Sequence, residues 1–147
     1  LIEHTGVVPA LNQVELHPFF VQKALTEAHE KHGIITQAWS PIGGVQRYSV
    51  KEGRPSQDPL QHPVISKLAD KYAKTAAQIV LRWHIEHGFS AIPKSIRAQR
   101  IAENIDIFDF ALTLDEVQAI DALDSGARGG PDPELVDTTL YSFKIKD

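Results

Sequence analysis

Short apolar runs of strand character and longer stretches of helical spacing take turns along this chain. Residues 9–16 read as a strand, with Pro9 at the start, where a missing N–H is tolerated. Val21, Leu25, Ala28 and His29 recur at helical spacing, and Gly33 ends that segment. Residues 34–39 form a short run rich in β-branched and aromatic side chains, which predicts a second strand. Ile65, Leu68, Ala69 and Tyr72 mark a helix. Thr75-Ala76-Ala77-Gln78 reads as a capping box opening another, with Ile79, Val80 and Trp83 inward and Gly88 closing it. Residues 89–92 give a third strand, stopped by Pro93. Ile101, Ile105 and Phe108 supply the next helix with a stripe expected to face the core. Thr113-Leu114-Asp115-Glu116 is a second capping box, continued by Val117, Ile120 and Leu123.

Strands separated by helices imply an α/β fold with parallel strands covered by helices. Only three strands are legible. Between them, residues 43–63 lose all periodicity among Gly43, Gly44, Gly53, Pro55, Pro59 and Pro63. Loops of that length are uncommon in compact domains and are often functional. The tail beyond Leu123 holds Gly126, Gly129, Gly130, Pro131 and Pro133 and is expected to be irregular. Leu1 to Gly6 reads as the last turn of a helix ending at a glycine cap. The chain has no methionine, so Leu1 is not an initiator and the expectation is a fragment. Three units leave two sheet edges and an apolar face uncovered. A longer intact protein, or a complementary piece, is therefore expected.

Composition narrows the function classes. The 147 residues are 42% hydrophobic with a net charge of −4, which suits one globular unit and gives no nucleic-acid surface. No apolar stretch approaches the roughly 18 residues of a membrane span, and no secretory signal is visible. The absence of cysteine removes disulfides and thiolate chemistry and fits a cytoplasmic location. His29 and His32 are three apart, as are His84 and His87, but neither pair has an evident third ligand, so no metal is expected. Neither a Gly-x-Ser-x-Gly elbow nor a Gly-x-Gly-x-x-Gly loop occurs.

The chemistry concentrates after Pro93. A strand end feeding a helix start, with Lys94, Ser95, Arg97 and Arg100 at the junction, is a recipe for holding a phosphate. An ordinary solvated basic loop fits the same residues, as does an exposed ion pair between Arg100 and Glu103.

Three ordered segments carry a resemblance. Ile92-Pro93-Lys94-Ser95 followed by Arg100-Ile101 and Glu103-Asn104, together with residues 9–18 and Ala38-Trp39-Ser40-Pro41-Ile42-Gly43, resemble signatures of the aldo-keto reductases. Within that family the chain resembles bacterial 2,5-diketo-D-gluconate reductases. The resemblance implies the C-terminal three β/α units of a (β/α)8 TIM barrel, with residues 1–147 forming part of one domain. Working residues in such barrels lie at the C-terminal strand ends. Trp39 resembles the aromatic on which the family stacks a nicotinamide, and Gln13 the side chain that bonds its carboxamide. Ser40 and Ile42 resemble the loop beside the pyrophosphate. Lys94, Ser95 and Arg100 resemble the group holding the 2′-phosphate of NADP, and Glu103 and Asn104 the residues beside the adenine. Taken without the resemblance, Trp39 reads first as a core aromatic, Gln13 as a polar residue satisfying its neighbours, and residues 40–43 as a plain turn. Ile96 departs from the aromatic sometimes found at its place.

The family's catalytic Asp, Tyr, Lys and His lie on segments that this sequence does not contain. Tyr48, Tyr72 and Tyr141 stand in the wrong contexts to replace the tyrosine. The implied whole is a monomeric NADPH-dependent enzyme reducing an aldehyde or ketone, with this chain supplying the cofactor-gripping wall and no catalytic residue. The loop at 43–63 and the tail from 129 to 147 are expected to line the substrate mouth. A non-catalytic NADP(H)-binding module of the same fold is the alternative, and an unrelated α/β scaffold piece without a ligand is the third reading.

Overall fold

The computed structural model describes residues 1–43 and 58–136. Strands β1 (Leu11–Glu15), β2 (Ile35–Trp39) and β3 (Ser90–Ala91) lie side by side in that order, all parallel. Leu11 pairs with Ile35, Gln13 with Gln37 and Glu15 with Trp39, while Gln37 pairs with Ser90. The third strand is shorter in the ladder than its apolar run. One further bond, from Ile92 N–H to the Ala38 carbonyl at 3.2 Å, extends it before Pro93 removes the next donor.

Helices α1 (Ile2–Thr5), α2 (Lys23–His32), α3 (Pro63–Tyr72), α4 (Ala76–Glu86), α5 (Ala98–Ile105) and α6 (Leu114–Asp121) surround or follow the strands. Both expected capping boxes form: Thr75 with Gln78, and Thr113 with Glu116, each reciprocally bonded. Gly6 and Gly33 close α1 and α2 at φ 69°, a left-handed conformation that glycine adopts without a Cβ penalty.

Strand alternation sorts the side chains. Val14, Leu16 and Ala38 face the helices and meet Ile65 of α3, Ile79, Val80 and Trp83 of α4, and Ile120 of α6 in one core. Trp83 Nε1 donates to Asp121 at 2.7 Å, so its polar edge is satisfied as its rings are buried. The opposite face carries Leu11, Gln13 and Glu15 on β1, and Ile35, Gln37 and Trp39 on β2. Leu11 and Ile35 are exposed there.

One expectation fails. Ile101, Ile105 and Phe108 are 54%, 69% and 63% exposed, and α5 buries no residue. The helix leans on α4, with Glu103 and Asn104 half-buried, so its apolar stripe turns outward. Periodicity reveals that a helix has an apolar face but not what covers it. Residues 44–57 of the long irregular segment and 137–147 of the tail, with Tyr48 and Tyr141, lie outside the described residues.

Candidate functional site

At the C-terminal ends of β2 and β3 lies a cleft of about 620 Å³. It is bounded by the turn Ser40-Pro41-Ile42, by Leu60, by the start of α4 at Thr75-Ala76-Ala77, and by residues 92–97 with Arg100, Glu103 and Asn104. Seven expected residues are thus brought together: Ser40, Ile42, Lys94, Ser95, Arg100, Glu103 and Asn104. Gln13 and Trp39 do not line it. Trp39 ends β2 immediately before Ser40, and Gln13 stands one row down the sheet.

Three cations, Lys94, Arg97 and Arg100, face one carboxylate, Glu103, in this lining. None of the three forms an ion pair among the described residues. Glu103 instead accepts from Gln99 at 2.7 Å, so the Arg100–Glu103 pair does not form. Arg97, the N-cap of α5, provides no side-chain cap, whereas α3, α4 and α6 are each capped by their own N-cap residue. Free N–H groups and unpaired cations therefore share one wall. Ser95 Oγ accepts from the Arg97 N–H at 3.1 Å, which fixes the approach to the helix and leaves the hydroxyl proton for another acceptor. Ile96 is exposed beside these cations.

The turn at 40–43 is held from behind. Ser40 adopts φ 49° and Gly43 φ 71°, and the Gly43 N–H returns to the Ser40 carbonyl at 2.8 Å. A Cβ at Gly43 would sit 2.5 Å from Pro59, so that close approach requires glycine. His84 on α4, wholly buried, donates from Nε2 to the Pro41 carbonyl at 2.9 Å. Burial pushes its pKa down to about 4, against the raising effect of that bond, so the ring is neutral near pH 7.

Gln13 donates to Gln37 Oε1 at 2.7 Å, and Gln37 donates to Ser90 Oγ at 3.1 Å, a polar row across all three strands. The row leaves the Gln13 carbonyl oxygen without a partner among the described residues. Above it, Glu15 is 1% exposed and binds the tail. Its carboxylate accepts from Gly129 N–H at 2.7 Å, Gly130 N–H at 2.9 Å and His17 Nε2 at 3.1 Å. Burial pushes the carboxyl upward, but these bonds outweigh it and hold the pKa below the usual value. Sequence reasoning missed Glu15 and His84 as site residues, and placed Arg97 at the basic junction without giving it a role. The parity of Gln13 and Glu15 along β1 was a usable signal, since residues two apart share a face.

The histidine pairs are otherwise engaged. His29 joins Thr36 at 2.8 Å and Asn12 at 3.0 Å, and His87 joins Asp121 at 2.9 Å. Tyr72 donates to Glu116 at 2.6 Å, which, with burial, raises its pKa, the opposite of an activated proton donor.

Parallel strands backed by helices, with a cleft at their C-terminal ends lined by three cations and one carboxylate, define an α/β protein whose cleft suits an anion in charge. The sequence profile of the aldo/keto reductase family matches residues 1–125, and the chain belongs to that family. It is 48% identical over 143 residues to morphine 6-dehydrogenase of Pseudomonas putida, covering 97% of this chain and 48% of that protein. It is 47% identical over 136 residues to the methylglyoxal reductase DkgA of Escherichia coli K12, covering 91% and 45%. Among solved structures, a mutant of Gox0644 in complex with NADPH superposes with a TM-score of 0.80 at 44% identity, covering 92% of this chain and 46% of that one. The Bombyx mori aldo-keto reductase in complex with NADP gives 0.80 at 37% identity, covering 90% and 43%. The chain thus spans just under half the length of these relatives.

Proposed function

We propose that this chain is the C-terminal three β/α units of a (β/α)8 barrel, one domain's cofactor-gripping wall in an NADPH-dependent reductase of aldehydes or ketones. The observation that carries this reading is the set of cations, Lys94, Arg97 and Arg100, without ion-pair partners among the described residues, around the uncapped start of α5. Bound NADPH supplies the hydride; the residues here grip and orient it. Lys94 and Arg100, with the Ser95 hydroxyl, suit a dianionic 2′-phosphate, which wants a point charge, a planar fork and a donor together. Ser40 and the Ile42 N–H border the pyrophosphate, and Glu103 and Asn104 the adenine. The indole of Trp39 shields one face of the nicotinamide, and the Gln13 carbonyl oxygen accepts from its carboxamide. NADPH-bound and NADP-bound relatives of this fold support the choice of cofactor. This chain alone is predicted to be inactive, because the family's Asp, Tyr, Lys and His segments are not part of it.

In the whole protein carrying this sequence, Lys94→Ala with Arg100→Ala weakens NADPH binding by about a hundredfold, two charge-assisted contacts being lost. NADH, lacking the 2′-phosphate, changes little. Equal losses for both cofactors contradict the assignment.

A further inference from the structure

Glu15 has no part in the cofactor contacts described above, yet it is the most elaborately bonded buried carboxylate among the described residues. Both its oxygens are committed: Oε1 to Gly129 N–H and His17, and Oε2 to Gly130 N–H. A buried charge is tolerated only when paired and bonded in this way. The two amides belong to a tail more than a hundred residues downstream along the chain. That tail reaches Glu15 along a docked path. Ser125 and Ala127 donate their N–H groups to the Phe19 carbonyl at 3.2 and 3.1 Å, and the Arg128 guanidinium lies 4.7 Å over the Phe20 ring. At the end of the path Gly130 meets Trp39. A Cβ there would lie 2.4 Å from the indole Cη2 and 3.0 Å from the Glu15 carboxylate. Glu15 and Trp39 are themselves register partners at the ends of β1 and β2. One carboxylate thus ties down a glycine pair whose second member abuts the far edge of the indole.

We propose that Glu15 is a positioning residue that clamps the C-terminal tail against Trp39 and thereby sets the indole shelf on which the nicotinamide lies. This rests on the cofactor reading above and adds to it a connection between the tail and the redox end of the site. The clamp needs two acceptors aimed at two consecutive N–H groups. A glutamine offers one acceptor and turns an NH2 toward the other amide, donor against donor. Gly130 needs no side chain because the space between carboxylate and indole is already filled.

The test uses the whole protein carrying this sequence, its Glu15→Gln, Glu15→Asp and Gly130→Ala variants, and two probes, NADPH and adenosine 2′,5′-bisphosphate. The second probe carries the phosphate but no nicotinamide. In the cofactor-free protein, Glu15→Gln speeds hydrogen exchange of the Gly129–Gly130 peptide by about tenfold or more, and Glu15→Asp partly restores protection. Glu15→Gln and Gly130→Ala each weaken NADPH by about tenfold and reduce its quenching of tryptophan emission, while adenosine 2′,5′-bisphosphate binds as before. Gly130→Ala keeps the Glu15 carboxylate and crowds it and the indole from the tail side, so it disturbs the same junction without removing the charge. Unchanged exchange in Glu15→Gln, or unchanged NADPH binding and quenching in both variants, overturns the clamp. Failure of the unmutated protein to bind adenosine 2′,5′-bisphosphate overturns the phosphate seat instead.

Discussion

At the scale of single residues, His84 shows how a buried group supports a site without lining it. Its ring is enclosed in the core, and its one polar bond fixes the Pro41 carbonyl in the turn beside the cleft. The unfolded chain takes up a proton here near pH 6.5, whereas the folded chain resists until about 4. Over that window the unfolded state binds more protons, so stability falls as pH falls, by about 3 kcal/mol in all from this group. His84→Leu abolishes that part of the acid sensitivity but forfeits the bond to Pro41, costing about 1–3 kcal/mol at neutral pH. Denaturant melts of both proteins above pH 6.5 and near pH 4 check this, the unmutated protein's advantage vanishing or reversing toward acid. A constant gap contradicts the assignment. The sequence displayed His84 only as half of an i,i+3 histidine pair, because spacing along a helix does not reveal which carbonyl a buried ring will meet. Lys94, Ser95 and Arg100 were legible for the converse reason: their chemistry is local to one strand–helix junction.

At the scale of elements, what chain-local rules govern was readable. Thr75 and Thr113 start helices where capping chemistry places them, and Gly33 ends one where a left-handed residue is needed. The stripe on α5 was readable as a pattern and misread as to its partner. Ile101 and Ile105 of α5, with Ile96 before it and Phe108 after it, are all exposed, although a cluster of apolar side chains of this size seldom faces water. We predict that in the whole protein another segment covers them. Ile105→Ser then destabilises the whole protein by about 2 kcal/mol or more, as loss of a buried side chain does. A change within about 0.5 kcal/mol, the usual surface response, shows the stripe to be solvent-facing. Thermal melts of the two proteins decide it.

At the scale of the molecule, β1 and β3 are both edges of the described sheet, and the face bearing Gln13 and Trp39 is open except where the tail crosses it. Parallel sheets are normally covered on both faces. The order of strands and helices followed from the alternation of apolar periods. The tail's return to Glu15 did not, since it joins residues more than a hundred apart through backbone amides that carry no sequence signal. The same holds for the cleft, where the cations of one loop meet the turn after β2 only once the strands pair. A crystal structure of the whole protein with NADP decides whether the cations seat the cofactor. The expected result is the 2′-phosphate between Lys94 and Arg100 at charge-assisted distances of about 2.7–2.9 Å, with the nicotinamide face on the Trp39 indole. A cofactor whose 2′-phosphate lies away from both cations, or whose ring does not touch Trp39, contradicts it.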